Sequence, residues 1–239
     1  MLKQEDLGGG ISAFVSKAHG FSTDALLLAR FAAPGRDDRA CDLGSGCGIL
    51  PLLWCRDGLA REIAAVEIQE AACRQMETAV AHNRLKEKLH VLHADLRELK
   101  GRLPMGSFDL VTMNPPYYVA GSGLRSADKS AEIARHDGSC SLEEACAAGT
   151  ALLRFGGRLC LCCRPERLVA LLAAMSLSGA EPKRLRLAAK NPQSPPWLAL
   201  VEARRGGKPG LKVEAGLFLC KADGSPTDEL LEIYGEYKV

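Results

Sequence analysis

The chain has 239 residues, of which 47% are hydrophobic and 25% charged, with 24 Gly and 12 Pro. That length buries well over half of the unfolded surface, and the composition excludes collagen-like, fibrous and wholly disordered classes. The longest uncharged helical stretch, 168–180, has 13 residues, too few to cross a bilayer. The opening Met1-Leu-Lys-Gln-Glu-Asp6 is acidic where a secretory leader is basic and then apolar. These features predict a cytoplasmic protein without membrane contact.

The net charge of +2 hides an asymmetry, because between Lys183 and Lys212 eight Lys and Arg residues meet a single acid, Glu202. Such a segment suits a polyanion, since phosphate neutralisation with counterion release supplies sequence-independent affinity. A solvated rim is the alternative. The 10 cysteines accompany no export signal and are read as reduced. Cys160 and Cys163 make a Cys-x-x-Cys, yet they lie in an apolar strand-like run where positions three apart face opposite sides. They predict core packing and no metal.

In chain order, residues 1–39 read as a lead-in, 40–203 as a catalytic core and 204–239 as a C-terminal extension of one domain. Apolar runs at Ala40–Leu43, Ala64–Glu67, His90–Ala94, Leu110–Met113, Arg158–Cys163, Leu185–Ala188 and Trp197–Ala203 read as strands. Helical stretches fall between them, most clearly Ile49–Arg56, Glu70–Asn83, Leu142–Leu153 and Glu166–Leu177, the last opened by Pro165. The alternation is the βαβα pattern of a mostly parallel α/β sheet with helices on both faces. Asn191–Pro196 must be a loop, and Arg204–Gly210 is a second turn before another strand-like run, Leu211–Leu219. Tyr118–Cys140 has little periodicity and is expected to be a long functional loop.

Three segments carry chemistry. Asp42-Leu-Gly-Ser-Gly-Cys-Gly48 joins a strand to a helix, and Gly44, Gly46 and Gly48 permit a tight turn whose amides approach a ligand closely. Asp42 opposes a pyrophosphate there and suits a cationic group such as an ammonium or sulfonium. Glu67 ends the next strand, 19 residues after Gly48, where a carboxylate accepts from ribose hydroxyls. That position fits NAD and S-adenosylmethionine equally well. Asp95, after the third strand, is placed to accept from an adenine amino group. Acids at three successive strand ends converge on one crevice.

Asn114-Pro-Pro-Tyr117 follows the fourth strand. Pro115 and Pro116 remove two amide donors and stiffen the backbone, so nearby carbonyls are left as acceptors. Asn114 adds an amide acceptor and Tyr117 a flat face for stacking. Two acceptors that hold the hydrogens of a conjugated amine out of plane aim its lone pair at an electrophilic methyl, and the alignment itself supplies much of the rate. No general base is required.

On these residues the chain resembles class I S-adenosylmethionine-dependent amino-methyltransferases. More narrowly, it is similar to the bacterial tRNA1(Val) adenine-37 N6-methyltransferase family. The narrower likeness rests on Gly20-Phe-Ser-Thr-Asp24-Ala-Leu-Leu-Leu-Ala29, Tyr118 doubling the motif tyrosine, Ala134-Arg-His136, Arg164-Pro-Glu-Arg167 and the Arg204-Arg-Gly-Gly-Lys208 turn. Asp137 departs from the Glu common after Arg-His. The resemblance implies a Rossmann-like sheet with a reversed strand near the C-terminus and methyl transfer to the exocyclic nitrogen of an adenine beside a tRNA anticodon. It also implies that Asp42 and the glycines hold the methionine end, Glu67 the ribose and Asp95 the adenine, with Thr23 and Asp24 at the cofactor entrance. Asn114, Pro115, Pro116 and Tyr117 would grip the target base. Tyr118, Arg135, His136, Lys190, Arg204, Arg205 and Lys208 are expected to contact the tRNA, whose unstacked loop bases can be splayed into a pocket. A protein-glutamine N5-methyltransferase acting on a release factor, and a non-catalytic RNA- or nucleotide-binding module, are the alternatives.

Overall fold

The computed structural model describes residues 2–115 and 140–237. The chain opens with a hairpin, β1 (Lys3–Asp6) antiparallel to β2 (Ser12–Val15). Its turn at Gly8–Gly10 and the charged β1 sequence give no apolar alternation, so nothing in the sequence announced it. Two side chains from farther along the chain hold it. Asn83 exchanges hydrogen bonds with the Ser12 backbone, and the Gln75 amide donates to Phe14 O and His19 O. Helix α1 (Thr23–Ala32) follows, also unforeseen, with all but two of its ten residues buried.

β3 (Arg39–Leu43) starts the main sheet and leads through the glycine turn into α2 (Ile49–Arg56). β4 (Glu62–Glu67), α3 (Glu70–His82) and β5 (Leu89–His93) extend the sheet on one side, while β6 (Phe108–Met113) pairs with β3 on the other. After the segment outside the described residues, a Ser141–Glu144 capping box opens α4 (Leu142–Leu152), satisfying two orphan amides of its first turn. β7 (Leu153–Cys163) pairs in parallel with β6 and begins five residues earlier than its apolar run suggested. A 3-10 turn at Pro165–Arg167 precedes α5 (Leu168–Leu177), so Pro165 opens this segment as expected.

β8 (Ala180–Ala189) lies beyond β9 (Pro196–Arg205), which inserts between β8 and β7 and is antiparallel to both. This is the reversed strand. The run 211–219 resolves into two short strands, β10 (Lys212–Val213) and β11 (Leu217–Phe218), each pairing with β8, and the described chain closes through α6 (Asp228–Tyr234).

The sheet is covered on both faces. One core takes α1, α2 and part of α3 together with Ala40, Cys160 and Cys162; the other takes α4 and α5 with Cys41, Leu159, Leu161 and Cys163. The strand pleat thus sends Cys160 and Cys163 into different cores, and burial pushes their thiols up to about 12 and about 11. Among the described residues no cluster of three His, Cys, Asp or Glu could hold a metal, and no helix is long and apolar enough to cross a membrane. Chain order reverses around β3, with β4 on one side and β6 on the other. A ligand crevice at the carboxyl ends of these strands is the expected consequence.

Candidate active site

The turn after β3 is tied to its neighbours at several points. Gly44 and Ser45 donate backbone N–H to Val66 O at 2.8 and 3.0 Å, and the Ser45 hydroxyl donates to Asp42 Oδ2 at 2.8 Å. On the other side the Thr112 hydroxyl, in register with Asp42 on β6, donates to its Oδ1 at 2.6 Å. Asp42 is 2% exposed. Burial pushes its pKa up to about 7 despite these two hydrogen bonds, with the nearby Glu67 charge adding to the rise. A carboxyl poised at this value beside a glycine turn is equipped to meet a cation, which would draw it into the charged form.

The glycines divide into two roles. Gly46 has φ +55°, and a Cβ on it would enter open space, so its backbone fronts a cavity of about 350 Å³. Gly48, at φ +80°, is not among the residues lining that cavity; a Cβ there would stand 2.7 Å from the Met76 side chain, so the close approach of the turn to α3 requires this glycine. The cavity is lined by Asp42, Gly44, Ser45 and Gly46 on the β3 side, by Asn114 from the end of β6, and by Gly20, Phe21, Ser22 and Ala25 from the entry to α1. Cys47, Ile49 and Leu50 close it at the start of α2. Phe21, Ser22 and Ala25 carry no chemical signal of their own in the sequence; they enter the site as part of the stretch Gly20–Ala29 on which the family resemblance rests. Thr23 and Asp24 sit in the same first turn but are not among the residues that line the cavity; Thr23 Oγ1 lies 3.3 Å from the Tyr234 hydroxyl, and Asp24 is buried.

Glu67 is 5% exposed and braces the turn, its Oε2 accepting from Gly46 N–H and its Oε1 from Gln69 N–H, both at 2.8 Å. Asp95 caps the 3-10 turn at Leu96–Glu98 and is clasped by the Arg97 guanidinium, which holds its carboxyl below the usual carboxylate range. The strand-end position of both acids is as expected, while their engagement with Gly46 and Arg97 was not visible from spacing.

Asn114 leaves β6 half-buried at the cavity wall, its Oδ1 accepting from the Cys162 thiol at 3.0 Å, with Pro115 buried behind it. Asp42 and Asn114 therefore face one space across adjacent strands. Pro116, Tyr117, Tyr118, Arg135 and His136 lie outside the described residues.

The basic segment is split by the reversal of β9. Lys190 follows the carboxyl end of β8, exposed on the same edge as Asn114. Arg204, Arg205 and Lys208 are at the other edge. Met113 and Val201 both face Leu161, whereas Arg204 faces Arg158, three residues or about 10 Å back along β7. Arg205 donates to Leu153 O at the start of β7. Strand direction thus places these three and Lys190 at opposite edges of the sheet. Several other cations of the segment serve the fold: Arg184 pairs with Glu202 and stacks on Phe31, and Arg186 pairs with Glu229.

A switch-point crevice bounded by an acid-flanked glycine turn and an Asn-Pro corner, in a doubly wound sheet with one reversed strand, defines a Rossmann-like S-adenosylmethionine-dependent methyltransferase. The chain belongs to the Methyltransferase small domain family, matched over residues 13–134. Among its relatives, the tRNA1(Val) (adenine(37)-N6)-methyltransferase of Tolumonas auensis is 28% identical over 90% of this chain and 88% of its own. The enzyme of the same name from Parabacteroides distasonis is 27% identical over 75% and 74%. A solved structure described as a predicted O-methyltransferase from Agrobacterium tumefaciens superposes with a TM-score of 0.70 at 22% identity, covering 89% of this chain and 95% of that one. The 16S rRNA N2 G1207 methyltransferase of T. thermophilus, solved with AdoMet and guanosine, superposes with a TM-score of 0.56 at 18% identity over 89% and 47%.

The residues present fit S-adenosylmethionine. Asp42 offers a buried carboxyl, Gly46 an unobstructed backbone on the cavity, and Glu67 keeps further lone pairs beyond the two amides it accepts.

Proposed function

We propose that this chain transfers a methyl group to the exocyclic N6 of adenine 37 in the anticodon loop of valine tRNA. The observation that carries the reading is that Asn114 of Asn114-Pro-Pro-Tyr117 lines the same cavity as Asp42, Gly44 and Gly46. An amine-gripping corner and a cationic-ligand turn thereby share one space. The names of relatives aligned over most of the chain support the choice of adenine and of tRNA.

In this reading Asp42 and the glycines of the turn hold the amino-acid end of the cofactor, Glu67 the ribose and Asp95 the adenine. Bound S-adenosylmethionine supplies an electrophilic methyl carbon. Asn114 Oδ1 accepts one N–H of the target amine, with the Cys162 thiol fixing the orientation of the amide. Pro115 and Pro116 have no N–H to compete, so a backbone carbonyl of this corner accepts the second hydrogen. With both hydrogens held, the nitrogen lone pair points along the transfer axis, and positioning provides the main rate gain. The methylated ammonium is strongly acidic and loses its proton to water. Tyr117 stacks on the base, and Tyr118, Arg135, His136 and Lys190 contact the surrounding RNA.

The test is incubation with methyl-labelled S-adenosylmethionine and unmodified tRNA, followed by nucleoside digestion. Label in N6-methyladenosine from one anticodon-loop position is expected. Label in another nucleoside, or in a release factor in place of tRNA, contradicts the proposal.

A further inference from the structure

The cavity has one wall whose support comes from the opposite end of the chain. Phe21 lines it. The Phe21 ring packs against Tyr237 with centroids 5.6 Å apart at 56°, and Tyr237 stacks in turn on Tyr234 at 6.1 Å and 6°. The Tyr234 hydroxyl lies 3.3 Å from Thr23 Oγ1, in the first turn of the helix that Phe21 precedes. All three rings are half-buried.

This aromatic row is anchored on its far side. Arg56, the last residue of α2, donates to Leu7 O and to Tyr234 O, both at 3.2 Å. Glu236 accepts from Gly9 N–H at 2.9 Å, closing the C-terminal segment onto the N-terminal hairpin turn. The same α2 begins at the glycine turn, with Ile49 and Leu50 on the cavity. The C-terminal segment is therefore tied to the element that forms one cavity wall and packed behind the side chain that forms another. Residues 234–237 lie outside the stretch matched by the family, 13–134.

From this arrangement we infer that Tyr237 and Tyr234 are positioning residues for cofactor binding, acting through Phe21. The Tyr237 ring packs Phe21 against the cavity, Tyr234 backs Tyr237 and holds the first turn of α1, and Arg56 ties Tyr234 to the far end of α2, the helix that follows the glycine turn. Without the tail, Phe21 loses the surface it leans on, and the cavity exchanges an ordered apolar wall for water. Edge-on and offset aromatic pairs contribute beyond their buried area, so the loss should appear in cofactor affinity. The inference concerns cofactor binding alone and is independent of the nature of the methyl acceptor.

The full-length protein is titrated calorimetrically with S-adenosylmethionine in the absence of RNA. Tyr237→Ala is expected to raise Kd about five- to tenfold, an amount matching one aromatic pair, while Tyr237→Phe binds as the parent does. Phe21→Ala is expected to weaken binding similarly, and adding Tyr237→Ala to it to cause little further loss, since the tyrosine acts through that ring. The parent and the four variants are compared at a temperature at which circular dichroism shows them folded. Fully additive losses in the double variant would overturn the inference, as would a Tyr237→Ala affinity within twofold of the parent or a Tyr237→Phe defect equal to that of Tyr237→Ala.

Discussion

The two edges of the sheet are built from similar residue types and do different things. At the carboxyl edge, two polar side chains front open space: Asp42 is held by Thr112 and Ser45 but faces a cavity, and Asn114 faces it from the neighbouring strand. At the amino edge, charges close on one another or on backbone. Arg39 pairs with Glu62, Arg154 with Asp109, Arg158 with Glu202, and Arg205 caps a carbonyl of β7. Ion pairs of this kind fix strand ends and contribute little individually. The comparison teaches that composition alone does not locate a substrate surface; strand direction decides which cations share an edge with the reacting atoms.

The difference can be broken most forcefully at Asn114. Asn114→Ala is expected to lower single-turnover methyl transfer about a hundredfold or more, the cost of a lost alignment contact, with S-adenosylmethionine Kd within about twofold. A matching loss of cofactor affinity would instead make Asn114 part of the cofactor cradle. Gly48→Ala should act on the fold beneath the same edge. A methyl at φ +80° against Met76 is expected to destabilise by about 2 kcal/mol or more in urea unfolding, and Met76→Ala is expected to cost less in that background than in the parent. Unchanged stability would show that the turn and α3 can part without cost.

Asp42 gives a pH signature. Its pKa is raised to about 7, and the cationic ligand requires its charged form, so protonation competes with binding. Cofactor affinity should be full above pH 7 and fall as pH drops through 7, roughly tenfold weaker at pH 6 than at pH 8 for one competing proton. Binding at pH 7 should release protons, visible as a dependence of calorimetric heat on buffer ionisation enthalpy. Asp42→Asn should bind more weakly and lose the pH dependence; a flat profile in the parent would remove Asp42 from direct contact. The smallest effect separates the two edges themselves. Lys190→Ala should reduce the salt slope of tRNA binding by about 1, whereas Arg204→Ala and Lys208→Ala leave it unchanged. The reverse result would move the RNA to the amino edge.

Much of the carboxyl edge was legible because its chemistry is written in short contiguous segments. Asp42–Gly48, Glu67 and Asn114-Pro115 each sit where a strand ends, and their convergence follows from parallel strand order. The reversed strand followed from the resemblance. Other features depend on contacts between distant segments. Nothing in the sequence near Asp95 says that Arg97 folds back onto it, and nothing in Arg204-Arg-Gly-Gly-Lys208 says which edge of the sheet it occupies, because that is set by β9 inserting between β7 and β8. The hairpin Lys3–Val15 escaped because its strands are four residues long and its stability comes from Gln75 and Asn83, more than 55 positions away. Gly48 reads identically to Gly46 in the motif, and only the position of Met76 separates packing from ligand access.

The most direct test of the account is a crystal structure of the full chain with S-adenosylhomocysteine, in which the quantity to read is where the sulfur lies relative to Asn114. This demethylated product of the cofactor should lie along Asp42–Gly46, with its sulfur turned toward the Asn114 side chain and a path open between them for the target nitrogen. A ligand bound elsewhere, or in the same turn with its sulfur directed away from Asn114, would contradict it.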